Sequence, residues 1–184
     1  MKKNILLTAG MLLAFSVSVS AATGFSLIVS QATNTSVKQI GSNATVDYGV
    51  NGVLGLGADY RFSKDMSVFL KYQIDRELLQ SGVPTNAKYS EILLGYNYYW
   101  SLGSALEVFI GLNYSLPRQS GTGWAAGVTL ESFLGYQAGL NYNINPNLYL
   151  NVVYDVYRAN IKFSNGTTNG LEDAGIRVGL GCRL

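Results

Sequence analysis

From residue 54 onward, charged residues keep to alternate positions. The even-numbered positions of windows 54–62, 66–74, 92–100, 106–116, 128–142, 148–156 and 174–184 number 40, and none is Asp, Glu, Lys or Arg, although about five would be expected from the chain's 13% charged content. The odd positions of the same windows hold Asp59, Arg61, Lys71, Glu107, Glu131, Asp155, Arg177 and Arg183. A strand directs successive side chains to opposite faces. The pattern therefore predicts strands with one apolar, charge-free face and one polar face, as a β-barrel standing in a bilayer requires.

Turn chemistry divides the chain into eight predicted strands, at 24–32, 49–62, 66–77, 89–100, 105–116, 125–142, 147–160 and 171–184. The first has its outward face on odd numbers, carried by Phe25, Leu27 and Val29. Short connections, such as Ser63-Lys64-Asp65, alternate with long ones at about 33–48, 78–88, 117–124 and 161–170 that are rich in Ser, Thr, Asn and Gly. Three short and four long connections fit eight strands with both termini on one side, short turns in the periplasm and long loops outside. Lipid offers no partner to an unpaired strand edge, so the first and last strands must meet. The predicted fold is all-β: an eight-stranded antiparallel up-and-down transmembrane β-barrel. Phe62, Trp100 and Tyr142 each lie beside a short turn and face outward by parity, a girdle at the membrane boundary.

A soluble barrel with the apolar side inward is the rival. It would crowd Leu54, Leu56, Tyr96, Trp100 and Tyr136 into a narrow tube and leave Gly55, Gly57, Gly95, Gly111 and Gly139 on the surface. Small residues suit a crowded lumen better. The 13% charged content also falls well below the ~25% usual for soluble domains.

The first 22 residues read as a signal peptide, with Lys2 and Lys3, an apolar stretch from Ile5 to Phe15, and small residues Ser20, Ala21 and Ala22. That leaves 23–184 as the barrel domain. Cleavage removes two of the 13 basic residues and balances the 11 acidic ones, so nothing in the charge points to nucleic acid. No other apolar run approaches the ~20 residues of a membrane helix. Cys182 is the only cysteine and excludes an internal disulfide.

On this pattern the chain resembles the small eight-stranded outer-membrane proteins of the OmpA/OmpX type. The closing run from Ile176 to Leu184 resembles the strand that barrel-assembly machinery recognises, although it ends in Leu184 where an aromatic residue is typical. The resemblance implies a bacterial outer-membrane location and a lumen plugged by polar side chains.

Isolated buried ions are unfavourable, so inward charges should pair. The spacing predicts one lumenal cluster of Glu131, Asp155 and Arg177, a second of Arg61, Glu107 and Arg183, and Lys71 near Glu91. Asp59 and Asp75 complete the inward set. Arg76, Lys88, Arg118, Arg158 and Lys162 fall near the outer ends of strands and are candidate lipopolysaccharide contacts. The chain has no histidine, and no nucleophile, metal or cofactor motif stands out, so no catalytic, metal-binding or cofactor-binding residues and no enzyme are expected. Gly55-Leu56-Gly57 is a lone Gly-x-Gly within a strand, not a dinucleotide site. The expected role is structural or a surface interaction through the outer loops, with 33–48 as the largest recognition surface; a narrow gated pore is the alternative. Expected partners are outer-membrane lipid, lipopolysaccharide, the assembly machinery and a surface ligand without identity, for a monomer.

Overall fold

The computed structural model describes residues 23–41, 45–51, 54–80 and 82–184. The predicted signal peptide at 1–22 lies outside the described residues. The strands are β1 (Gly24–Ile40), β2 (Thr45–Asn51), β3 (Leu54–Arg61), β4 (Met66–Gln80), β5 (Val83–Ser101), β6 (Leu106–Gly121), β7 (Thr129–Asn143), β8 (Leu148–Lys162) and β9 (Thr168–Arg183). All pairings are antiparallel, and each strand pairs with its sequence neighbours except at one place. There, β2 and β3 both lie between β1 and β4, one above the other, so the nine strands fill eight positions around a ring.

The ring closes through β1 and β9, which pair from Ser26↔Arg183 to Ile40↔Gly170. The Leu184 amide donates to the Phe25 carbonyl at 2.8 Å and extends that seam to the last residue. Among the described residues every strand thus has a neighbour on both sides, as the bilayer demands.

Parity decides the faces. Of the forty even positions counted above, only Val156 and Cys182 are buried. Leu112, Ile110 and Leu134 stand 64%, 54% and 61% exposed on the outer wall. Phe62, Trp100 and Tyr142 are likewise exposed beside the short turns. The lumen is filled in part by an aromatic–glycine rule: Phe69 lies opposite Gly95, Phe109 opposite Gly139 and Tyr149 opposite Gly181. A Cβ at any of these glycines would collide with the facing ring.

Two expectations need correction. Segment 33–48 is not a long loop. Ser36↔Gly49 through Ile40↔Thr45 pair as a β-hairpin, and β4, β5, β6 and β9 likewise run into the expected outer loops. Above the lipid a strand needs only its ladder, not an alternating apolar face, so Ser-, Thr- and Asn-rich sequence there extends the wall. The second correction concerns parity. β1 shifts register between Ala32 and Asn34, β4 between Gln73 and Arg76, and β7 between Ser132 and Tyr136. Each bulge adds one residue and exchanges the inner and outer faces above it. Below the bulge of β4, Phe69 and Gln73 are buried; above it, Arg76 and Leu78 are.

Candidate functional site

The inner face carries charged residues in three tiers. At the short-turn end, Arg61 of β3 donates to both oxygens of Glu107 on β6, at 2.8 and 3.2 Å. Arg183 of β9 donates to the same carboxylate at 3.2 Å and to Asn143 at 2.8 Å. The two guanidiniums lie over Tyr99 and Tyr149, at 4.1 and 4.7 Å from the ring centroids. Asp59 sits just above, accepting from Ser67 at 2.6 Å and from Tyr99 at 3.3 Å.

The middle tier belongs to β8 and β9. Arg177 Nε donates to both oxygens of Asp155, at 3.0 and 2.8 Å, and Tyr157 also bonds Asp155. Both ions are essentially inaccessible. Lys71 reaches across the tube to Gln137 at 2.9 Å, and Gln137 passes the link to Asn97 at 2.6 Å. Gln73 donates to Tyr157 at 3.1 Å.

The upper tier is built on Arg76, fully buried, which joins Glu91 of β5 to Asp173 of β9. Tyr89 donates to Asp173 at 2.8 Å and Ser115 to Glu91 at 3.1 Å. Tyr157 separates this tier from the one below. It has the Arg76 guanidinium at 5.8 Å and that of Arg177 at 5.0 Å from its centroid. Among the described residues the lumen thus holds Arg61, Lys71, Arg76, Arg177 and Arg183 against Asp59, Glu91, Glu107, Asp155 and Asp173, a balance that leaves no net charge inside.

The structure brings together Arg61, Glu107 and Arg183, and it pairs Asp155 with Arg177. It separates two other predicted groupings. Glu131 is exposed and pairs with Lys162 on the outer surface at 3.4 Å, because the bulge above Tyr136 turns the upper part of β7 over. Leu130 packs inward in its place, and Phe133, whose odd number puts it inside by parity, is 44% exposed. Arg76, expected outside as a lipopolysaccharide contact, is carried into the lumen by the bulge in β4 and takes Glu91 from Lys71. The Asp75 side chain lies outside the described residues. Of the remaining outer cations, Arg118 and Lys162 are exposed, Lys88 is half-buried, and Arg158 pairs with Glu172 at 2.9 Å. Sequence reasoning passed over Asp173, although its odd number on the last strand places it inside by the same parity that placed Arg177.

A family model described as "Outer membrane protein beta-barrel domain" matches residues 7–183. Among solved structures, Neisserial surface protein A (NspA) aligns over 90% of this chain and 100% of its own, with TM-score 0.65 and 19% identity. The outer membrane protein AlkL, solved in DMPC lipid bilayers, aligns over 92% of this chain and 95% of its own, with TM-score 0.59 and 14% identity. At such identities the likeness concerns the fold. No curated protein matches the chain.

Proposed function

The chain belongs to the outer membrane protein β-barrel domain family, and from that premise we propose that it is a sealed scaffold whose outer end, not its lumen, meets the environment. The observation that supports this reading is the Arg76–Glu91–Asp173 tier. One guanidinium ties carboxylates on two well-separated strands together across the tube, above the separate Arg177–Asp155 and Arg61–Glu107–Arg183 groups. Moving ions through would require separating charges that are buried and mutually neutralised. Purified protein in planar bilayers is expected to show no steady current at moderate voltage. A stable, high-conductance open state would overturn the sealed reading in favour of a narrow gated pore.

In this reading the surface role, adhesion-like in kind, belongs to the β1–β2 hairpin and the outer rim. Lys88, Arg118, Arg158 and Lys162 occupy outward positions of β5, β6 and β8 above the apolar wall, where cations meet lipopolysaccharide phosphates. Arg158 lies 5.7 Å from the ring of Tyr136, which places it on the outer face. Replacing Lys88, Arg118 and Lys162 together by Gln is expected to reduce the rise in unfolding temperature that added lipopolysaccharide produces. An unchanged rise would remove the contact. Residues 1–22 would deliver the chain across the inner membrane, and the last strand would be the part that the assembly machinery engages, for a protein that acts as a monomer.

A further inference from the structure

Above the Arg76 tier the lumen changes character. Val37, Leu78, Tyr89, Ala159, Ile161 and Leu171 form a buried apolar cluster at the end opposite the short turns. Over it lies a cavity of about 250 Å³. Leu78, Ala87, Ile161 and Leu171 form its barrel walls, and Trp124, Ala125 and Val128, from the segment joining β6 to β7, lean over it. Among the described residues no charged side chain lines it.

Several polar groups of the lining are committed to protein partners, and Gln80 is exposed. Thr85 Oγ1 donates to the Leu78 carbonyl at 2.7 Å, and the Tyr48 hydroxyl to Gln39 Oε1 at 3.3 Å. The Trp124 indole N–H donates to the carbonyls of Lys88 and Ser120, at 2.8 and 3.0 Å. A charged guest would find no counter-ion in the lining and would lose hydration without compensation. An apolar guest needs only the contact area that the walls offer. Tyr89 belongs to the same buried cluster and bonds Asp173 of the upper charged tier.

From this geometry we infer that the outer mouth of the barrel is a binding site for a compact, uncharged apolar or aromatic molecule arriving from outside. A one-ring compound fills about 150 Å³ of apolar cavity, so this site takes a guest of on the order of ten heavy atoms. The inference goes beyond the sealed-scaffold reading and does not depend on it, because the site lies above the charged tiers.

The chain has two tryptophans, Trp100 in the girdle and Trp124 at the cavity. In Trp100→Phe protein held in lipid nanodiscs, Trp124 alone reports. Bromobenzene, a heavy-atom quencher, is expected to quench it saturably. Ala87→Leu on the wall and Ala125→Phe on the exposed rim each fill the space, and each is expected to weaken this quenching by about tenfold, the scale of small volume changes in an apolar pocket. The rim variant leaves the barrel wall untouched, and heat-modifiability on a detergent gel verifies that both fold. Quenching that rises linearly without saturation, or that is equal in all three proteins, overturns the inference. Strong quenching by nanodisc lipids brominated on their acyl chains, with no bromobenzene added, also overturns it, by showing that a lipid tail occupies the site. A current in planar bilayers would disprove the seal without touching this result.

Discussion

Arg76 and Glu131 exchange the places that their numbers suggest, and the exchange has measurable consequences. Arg76 is wholly buried between two carboxylates, whereas Glu131 and its partner Lys162 are about half exposed. Replacing Arg76 by Met strands Glu91 and Asp173 in the lumen and is expected to destabilise the barrel by about 3–5 kcal/mol. Replacing Glu131 by Gln removes only a screened surface pair and should change stability by less than about 1 kcal/mol. Urea unfolding of the barrel in lipid vesicles compares the two directly, and equal effects would contradict the assignment of faces. Gly181 makes the complementary point about space. With the Tyr149 ring opposite, Gly181→Ala is expected to cost about 1–3 kcal/mol by overpacking. The loss should shrink in the background of Tyr149→Leu, because two residues that share one space are not additive. The sequence marked both kinds of lumenal residue, charge and glycine, by their odd numbers. It did not mark Arg76, whose even number is correct for the strand below and wrong for the position it occupies.

At the scale of elements, the decisive features are the bulges of β1, β4 and β7. Strand periodicity carries information about faces only while the register is unbroken. One inserted residue leaves the local sequence looking like a strand and reverses everything beyond it. The bulge of β4 is therefore what puts the even-numbered Arg76 in the tube, and its removal has a direct test. Deleting Asp75 removes the extra residue, so Arg76 follows Gln73 by two places in unbroken alternation and is expected to stay in the lumen with Ile74 outside. The readout is a retained heat-modifiable band on a detergent gel, and loss of that band would show that the bulge does more than reset the faces. Strand existence was legible, because lipid imposes alternation on every wall segment that it touches. Strand length was not. Above the bilayer the hairpin Ile40–Thr45 and the outward runs of β4 and β5 mix polar and apolar residues, because no alternation is imposed there.

For the whole molecule, closure between β1 and β9 makes those strands interior members of the ring. Amide exchange tests this, since protection follows the local opening free energy. Backbone amides of β1 from Ile28 to Gln31 that bond to β9 are expected to exchange as slowly as those joining β5 to β6, and fast exchange confined to them would indicate an open seam. Neutrality of the lumen is a property of the same closed ring. Arg183 of the last strand shares Glu107 with Arg61 of β3, and Asp173 meets Arg76 of β4, so neither group is complete until the ends of the sheet have met.

By itself the sequence determined that this chain is a lipid-facing barrel, where its short turns lie and which side of most strands faces the lumen. Those features follow from local alternation, which the surrounding solvent enforces residue by residue. Only the tertiary structure decided which lumenal charges pair, that Arg76 replaces Glu131 among them, and that an uncharged cavity stands above the charged tiers. Those outcomes depend on where single extra residues break the register and on which strands the closed ring sets opposite one another, and neither is recorded in the periodicity of any one segment.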